Sequence, residues 1–332
     1  MVTEQQKHQI ARLIELEAER QGSWQRAATR LGANQVTLRY NMQQPELWNK
    51  VSEAMWVKVA GKLEYNLNDE GWHLVKTQNV KIMMNILDRA QNEQLFMAVS
   101  HPAGHGKTAG IRMYRQEKYG VFYVECEESW SHKRFVQKLA EELGISVERY
   151  SVSELTDMIV DVLRDKASTT RPLLIIDEAN KLKPSSLRLF IPLFNKLQDQ
   201  IGMVLVGAHD LKRIILNGVR RDARGMDELA SRLGRSFVDL QGIFEQDVKA
   251  ICNANGLTDS AAQQRIWQRL MPTRQEINGK YYWVATQDLR VLKQAVKHEK
   301  ATLRLAAQGN DGKLNPTEME SAMGGRVVEL AA

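Results

Sequence analysis

Nine residues, Ser100-His101-Pro102-Ala103-Gly104-His105-Gly106-Lys107-Thr108, follow the apolar run Leu95 to Val99 and lead into a helix-like stretch from Ala109 to Glu117. A strand, a Gly-rich turn and a helix opening on Gly-Lys-Thr make a phosphate cradle, because backbone N–H groups and the positive helix end converge on one point. Nucleotide contacts are expected from Gly104, His105, Gly106, Lys107, Thr108 and Ala109, with Lys107 reaching the outer phosphates and Thr108 ligating Mg²⁺. The full pattern has glycine five positions before Gly106, where this chain has His101. That residue predicts a slightly different turn or a modest strain.

A second cluster of chemistry lies at Pro172-Leu173-Leu174-Ile175-Ile176-Asp177-Glu178, an apolar run too short for most helices that ends in two acids. Nucleotide hydrolysis needs such a pair: Asp177 holds Mg²⁺ through water and Glu178 orients the attacking water. Charge building on the transferring phosphoryl group is met by an arginine from a neighbouring copy. Ser231-Arg232-Leu233-Gly234-Arg235 supplies that candidate, Arg232 ahead of Arg235, and a finger of this kind requires oligomerisation. Farther on, Gln287-Asp288-Leu289-Arg290 places Arg290 at a helix start, able to reach a γ-phosphate.

The elements that must position these groups alternate. Helix from Val75 to Ala90 precedes the first strand; Val121 to Cys126 reads as a strand; Lys133 to Leu143 and Glu154 to Lys166 read as helices. Leu187 to Leu197 is helical, Gly202 to Val206 is a buried strand, and Phe237 to Leu240 is expected to be the last. Such alternation gives an α/β fold with a parallel, doubly wound sheet and ligands at the carboxyl ends of its strands. From Phe244 the chain reads as helical, with Gln246 to Asn255, Ala261 to Leu270, Leu289 to Leu305 and a short helix Thr317 to Ala322 opened by Thr317 and Glu320, forming a small lid.

Ahead of this lies a small all-α domain. Ile10, Leu13, Ile14 and Leu16 have helical spacing, Gly22-Ser23 makes a break and a cap, and Trp24 to Leu31 is a short helix stopped at Gly32. Asn34 caps a further helix from Gln35 to about Met42. Ala28, Gly32 and Leu38 fit a helix-turn-helix, so Gln35, Thr37, Arg39 and Tyr40 project from its recognition helix, although Asn41 stands where a second apolar anchor is usual. Arg20, Arg26, Arg30 and Arg39, with no acid between Arg20 and Pro45, suit a phosphate backbone. A plain three-helix bundle with a solvated basic face fits the same residues. Pro45 to Leu63 completes the domain. The expected boundaries are 1–65 for the helix-turn-helix domain, 66–71 for a linker, 72–243 for the nucleotide core, and 244–332 for lid and tail.

Composition bounds the rest. The chain has 332 residues, 43% of them hydrophobic, enough for two or three cores. Its net charge of +6 is compatible with a polyanionic partner or an ordinary solvated surface. Cys126 and Cys252 are too few and too far apart for a disulfide framework. A polar start and the lack of an apolar run of about 20 residues lead to a cytoplasmic expectation.

Phosphate loop, Asp-Glu strand, Ser-Arg segment and lid arginine stand in the order and spacing of the AAA+ ATPases, which the chain resembles over about residues 72 to 322. More narrowly it resembles the transposition protein B family of phage Mu and its transposon relatives, on Val75 to Lys81, Leu174 to Ala179, Ile201 to Gly207 and Asp247 to Ile251. The resemblance implies an AAA+ P-loop NTPase with a helical lid, behind a helix-turn-helix domain. It implies a Mg²⁺-dependent ATPase, slow and DNA-stimulated, that assembles as a homo-oligomer or helical filament on double-stranded DNA with little sequence preference. It also implies that the chain recruits and stimulates a DDE-type transposase, hydrolysis releasing the assembly. Carried over, Lys107 and Thr108 bind phosphates and metal, Asp177 and Glu178 act at metal and water, Arg232 is the finger and Arg290 the second sensor.

Two further positions depart from that family. Gln287 replaces a glycine before Arg290, and Ala208 stands where a polar first sensor, usually Asn, is expected, which makes His209 the substitute candidate. Lys133 and Arg134 at a helix start are the candidates for the DNA-lining surface. Two other roles share features with this one: a replicative helicase loader or initiator, and a nucleotide-sensing helix-turn-helix transcription regulator. Glu178 and Arg232 count against the last, which needs neither a water-orienting acid nor a finger.

Overall fold

The computed structural model describes residues 2–63, 65, 67 and 72–309. The expected linker, apart from Leu67, the expected helix Thr317 to Ala322 and the tail lie outside the described residues. Two compact units divide the chain, Met1–Ile243 and Phe244–Ala332.

At the start of the first unit, helix Glu4–Gln21 opens on a capping box in which Thr3 Oγ1 accepts from Gln6 N while the Gln6 side chain accepts from Thr3 N, and it closes at Gly22 with φ +66. Ser23 caps Trp24–Leu31, which closes at Gly32 with φ +64. Asn34 Oδ1 then accepts from Val36 N at 2.8 Å, as a cap should. The recognition segment, expected to be α-helical, is a π-helical turn over Thr37–Asn41. A turn closed five residues on takes up more residues, so that Leu38 and Met42 are both wholly buried. Met42 thereby supplies the anchor that Asn41 lacks. The stretch from Pro45 is likewise not one helix: a 3₁₀ segment Pro45–Lys50 ends before Ser52, whose hydroxyl accepts from Met55 N and starts Glu53–Lys62. Ile10, Ile14, Leu31, Leu38, Met42 and Val59 pack with Trp48 and Trp56, the two indoles edge to face at 5.6 Å.

Four short apolar runs form a parallel sheet: β1 Phe96–Ser100, β2 Val121–Glu125, β3 Leu173–Asp177 and β4 Gly202–Gly207, in the spatial order β1-β4-β3-β2. Their near-continuous hydrophobicity follows from cover on both faces. Gln78–Asn92 and Lys107–Glu117 pack on one face. His132–Glu142, Val152–Ala167, Phe190–Leu197 and Met226–Arg232 pack on the other. The register sets Ser100 beside Gly207 and Asp177 beside Glu125, bringing the strand ends together. A fifth strand over Phe237 to Leu240 does not form. Only Val238 bridges Val99, its N–H to Ala98 O at 2.9 Å and its carbonyl accepting from Ser100 N at 3.3 Å. The helix expected over Leu187 to Leu197 is split into Pro184–Leu187 and Phe190–Leu197.

In the second unit helices Glu245–Ala254 and Ser260–Arg269 are followed by an antiparallel hairpin, Pro272–Ile277 with Lys280–Ala285, and then by Leu289–Gly309. The reading of this region as purely helical is therefore corrected. Asn278 and Gly279 take φ of 51° and 75°, the two left-handed residues of a tight hairpin turn.

Candidate nucleotide site

β1 delivers Ser100 to the sheet's carboxyl edge, and the loop that follows turns on Gly104 (φ 76) and Gly106 (φ 92), conformations that a side chain would strain. His101 has no such conformation, so the strain expected from it is absent. Its N–H donates to Gly207 O at 3.3 Å, and its carbonyl accepts from Lys107 Nζ at 2.7 Å. Lys107, only 6% exposed, also donates to Pro102 O at 2.8 Å. The ammonium is thus held inside the turn, above the helix N-terminus. Burial, together with His105, Lys107 and His209 nearby, pushes His101 down to about 4, so it adds no charge at neutral pH. The His101 and His105 rings meet edge to face at 4.9 Å.

Asp177, at the end of β3, is fully buried beside this loop. Thr108 Oγ1 donates to its Oδ2 at 2.8 Å, Tyr123 OH donates to the same oxygen at 3.2 Å, and Glu178 N donates to Oδ1 at 2.9 Å. Burial nevertheless raises its pKa to about 6, because these neutral donors do not replace the water that a carboxylate loses. A cation there would restore the ionised form. Glu178 follows with φ 53, a left-handed conformation costing about 1 kcal/mol or more, and pairs with Lys181 at 3.4 Å.

Sequence reasoning missed two side chains. Asn79, 2% exposed in helix Gln78–Asn92, donates through Nδ2 to His105 O at 3.2 Å, tying that helix to the loop, while its Oδ1 is buried without a hydrogen-bond partner. Asn180 accepts through Oδ1 from Ala208 N at 2.9 Å. A Cβ on Gly207 would come within 2.9 Å of that oxygen, so the glycine permits the approach. Ala208 itself offers no side-chain hydrogen bond. Asn79 lay inside the stretch Val75 to Lys81 already singled out, and Asn180 stands two residues after Glu178; proximity to a motif was the available signal for both.

The predicted finger arginines are engaged in ion pairs of their own. Arg232 ends helix Met226–Arg232 and is held by Glu228 at 3.0 Å and Asn195 Oδ1 at 3.1 Å; Arg235 pairs with Asp227 at 2.9 Å. His209 sits at the start of helix Asp210–Arg220. Arg290 belongs to the second unit, its N–H donating to Asp288 Oδ1 at 2.8 Å. Gln35 and Thr37 are half-buried, whereas Arg39 and Tyr40 are exposed, the guanidinium over the ring at 5.5 Å. Lys133 and Arg134 are exposed behind the Ser131 cap, Arg134 facing Glu141 at 3.5 Å.

The arginine-rich run is corrected in part. Arg20 pairs with Glu17 at 2.6 Å; Arg30 pairs with Glu142 at 2.7 Å and with Glu17 at 3.3 Å, each guanidinium side chain only 9% exposed. Arg20 also donates to Arg115 O at 3.3 Å. These two cations fasten the first helices to the nucleotide core and are not offered to a phosphate backbone. Burial works to raise Glu17, but Arg30 and Arg20 outweigh it and hold the carboxyl below its ordinary range.

The residues present fit a magnesium-bound nucleotide: a glycine cradle, a buried ammonium above it, a hydroxyl and a carboxylate sharing one hydrogen bond, and an orphaned buried acceptor on Asn79. A family model described as AAA domain matches residues 89–215. No curated protein matches. Among solved structures, Cdc6p from Pyrobaculum aerophilum is 20% identical over 58% of this chain and 54% of its own, with a TM-score of 0.43. The Aeropyrum pernix ORC1 protein, solved in complex with DNA, is 18% identical over 71% and 63%, with a TM-score of 0.48. The Aeropyrum pernix ORC2 protein is 14% identical over 76% and 64%, with a TM-score of 0.44. The aligned part thus spans less than two thirds of each of these proteins. No helix among the described residues is long and apolar enough to cross a membrane. Residues 89–215 are thus similar to an AAA domain and the sheet has the AAA+ P-loop fold; a domain of that kind implies nucleotide binding, usually with Mg²⁺, and ATPase activity.

Proposed function

We propose that this chain is an ATP-hydrolysing switch that assembles on target DNA, presents an insertion site to a transposase, and leaves when its nucleotide is spent. The observation that carries the ATPase part is the bond from Thr108 Oγ1 to Asp177 Oδ2, which holds two oxygen ligands together at the sheet edge under Lys107. Thr108 and Asp177 would hold magnesium, whose charge neutralises phosphate oxygens. Lys107 exchanges its carbonyl partners for the outer phosphates. Glu178 accepts from the attacking water and orients it. Arg232, with Arg235 behind it, would leave its acidic partner to enter a neighbouring copy's site, and Arg290 would read the γ-phosphate. Ala208 gives nothing to hydrogen-bond water, which supports slow turnover suited to a timer.

For DNA, exposed Arg39 and Tyr40 with Lys133 and Arg134 supply backbone contacts of low sequence preference, and the motif set resembling transposition ATPases supports the transposase as partner. The test is ATP turnover with and without random-sequence duplex, with a Glu178→Gln variant imaged on DNA. DNA-stimulated turnover and long assemblies trapped by the variant support the reading, as does stimulation of a DDE-type transposase. Loading of a replicative helicase instead would replace the transposase role, and unhydrolysed ATP with no assembly on random DNA would end the reading altogether.

A further inference from the structure

The hairpin of the second unit displays large aromatic side chains to solvent. Tyr281 and Trp283 are each 61% exposed, although a folded chain ordinarily covers rings of this size. Strand alternation puts both on one face, and the register sets Glu276 opposite Tyr281 and Arg274 opposite Trp283 on that same face. Tyr282 faces the other way, its ring edge to face with Phe244 at 5.9 Å. Tyr282 therefore packs within the second unit, while Tyr281 and Trp283 remain largely open to solvent.

Two residues on one strand face stand about 6.8 Å apart, twice the 3.4 Å thickness of a stacked aromatic ring. The pair can therefore take a planar base between or across its rings. The Arg274 guanidinium lies 4.6 Å from the Tyr281 ring centroid, putting a cation beside the same surface. Glu276 is the acid on this face and Lys280 follows the turn, so the two strands carry two cations against one acid. Rings at base spacing set in cationic surroundings are what an unpaired polynucleotide strand requires: stacking for the bases, charge for the backbone. A protein partner could use the same residue types, but the ring spacing and the charge excess favour a nucleobase.

We infer that the hairpin Pro272–Ala285 is a binding platform for single-stranded nucleic acid, on which bases stack against Tyr281 and Trp283 while Arg274 meets the phosphates. The full chain is titrated against a fluorescein-labelled single strand of about 20 nucleotides by anisotropy, beside the Tyr281→Leu and Trp283→Leu variants. Loss of each ring weakens single-strand binding by about tenfold, Trp283→Phe restores most of it, and duplex binding changes far less. A strand of equal length carrying abasic sites, offered to the unaltered protein, binds as poorly as the variants do. Equal affinity for abasic and base-bearing strands, or undiminished single-strand binding in both leucine variants, overturns the inference. Retained strand binding together with loss of a co-purifying protein partner overturns it too, in favour of a protein-docking surface.

Discussion

Glu142 sits where the first helices meet the nucleotide core, and replacing it separates what its two oxygens do. Oε2 accepts from Arg30 Nε at 2.7 Å and meets the same guanidinium's Nη2 at 2.7 Å; Oε1 accepts from Tyr123 N, on β2, at 3.1 Å. Glu142→Gln keeps an amide oxygen for Tyr123 N but removes the charge and sets an NH₂ donor where Oε2 accepted from Arg30, while Arg30 retains Glu17 at 3.3 Å. We expect a loss of about 2 kcal/mol, below the roughly 3–5 kcal/mol for a buried cation stripped of its partner. Glu142→Ala also orphans a buried N–H, adding about 1–3 kcal/mol, for a total near 4. At a urea slope of about 3 kcal/mol per molar, Glu142→Ala lowers the unfolding midpoint by over about 1 M and Glu142→Gln by half of that. Combined with Arg30→Ala in a double-mutant cycle, the coupling is about 2 kcal/mol, and because the side chains are 9% and 7% exposed it survives 0.5 M salt with little change. A cost below about 1 kcal/mol for Glu142→Ala, or strict additivity in the cycle, would refute the reasoning and leave the hold on the N-terminal helices to apolar packing and to the hydrogen bonds of Arg20 and Lys166.

Three further outcomes are expected. Thr108→Val removes the hydroxyl shared with Asp177 and should weaken magnesium-dependent ATP binding by about tenfold or more, measured by fluorescent-nucleotide titration with and without Mg²⁺. Lys166, 9% exposed, donates to Arg20 O and Gln21 O at the end of the first helix, and burial lowers its pKa to about 8. Its folded pKa lies below its unfolded one, so its contribution to stability is complete above about 10.5 and lost as pH falls through 8; Lys166→Met should flatten that part of the stability profile by about 1–3 kcal/mol. Gly202→Ala would put a Cβ 2.2 Å from Ala90 O, and a loss of several kcal/mol in thermal unfolding, or insoluble protein, is expected; an unchanged midpoint would show that β4 can shift.

What the sequence disclosed depended on how local the cause was. The Gly-rich turn and the four strands are set by runs of a few residues, each carrying its own turn chemistry or apolar pattern, and the four strands stand in the structure as read. Arg20 and Arg30 looked like phosphate ligands because no acid lies between Arg20 and Pro45. Their partners are Glu17, one turn before that window, and Glu142, more than a hundred residues on. The π-turn at Thr37–Asn41 comes from the need to bury Leu38 and Met42 together, a packing demand that short-range propensity does not contain. The hairpin, by contrast, was legible: Asn278-Gly279 before Lys280-Tyr281-Tyr282-Trp283-Val284 is a strong turn and strand signal, passed over because helices stand on both sides.

The attachment of Arg20 to the carbonyl of Arg115 has a mechanical side. Helix Lys107–Glu117 begins at the phosphate loop and ends under that contact, a rod of about 16 Å with the loop at one tip and the N-terminal helices at the other. A tilt of about 5° at the loop sweeps the far tip through about 1.4 Å. A 3.3 Å hydrogen bond does not survive that displacement, so the N-terminal helices must either follow the rod or break their hold on it. If the phosphate loop moves with its ligand as the proposed function requires, this helix would carry that movement to the N-terminal helices.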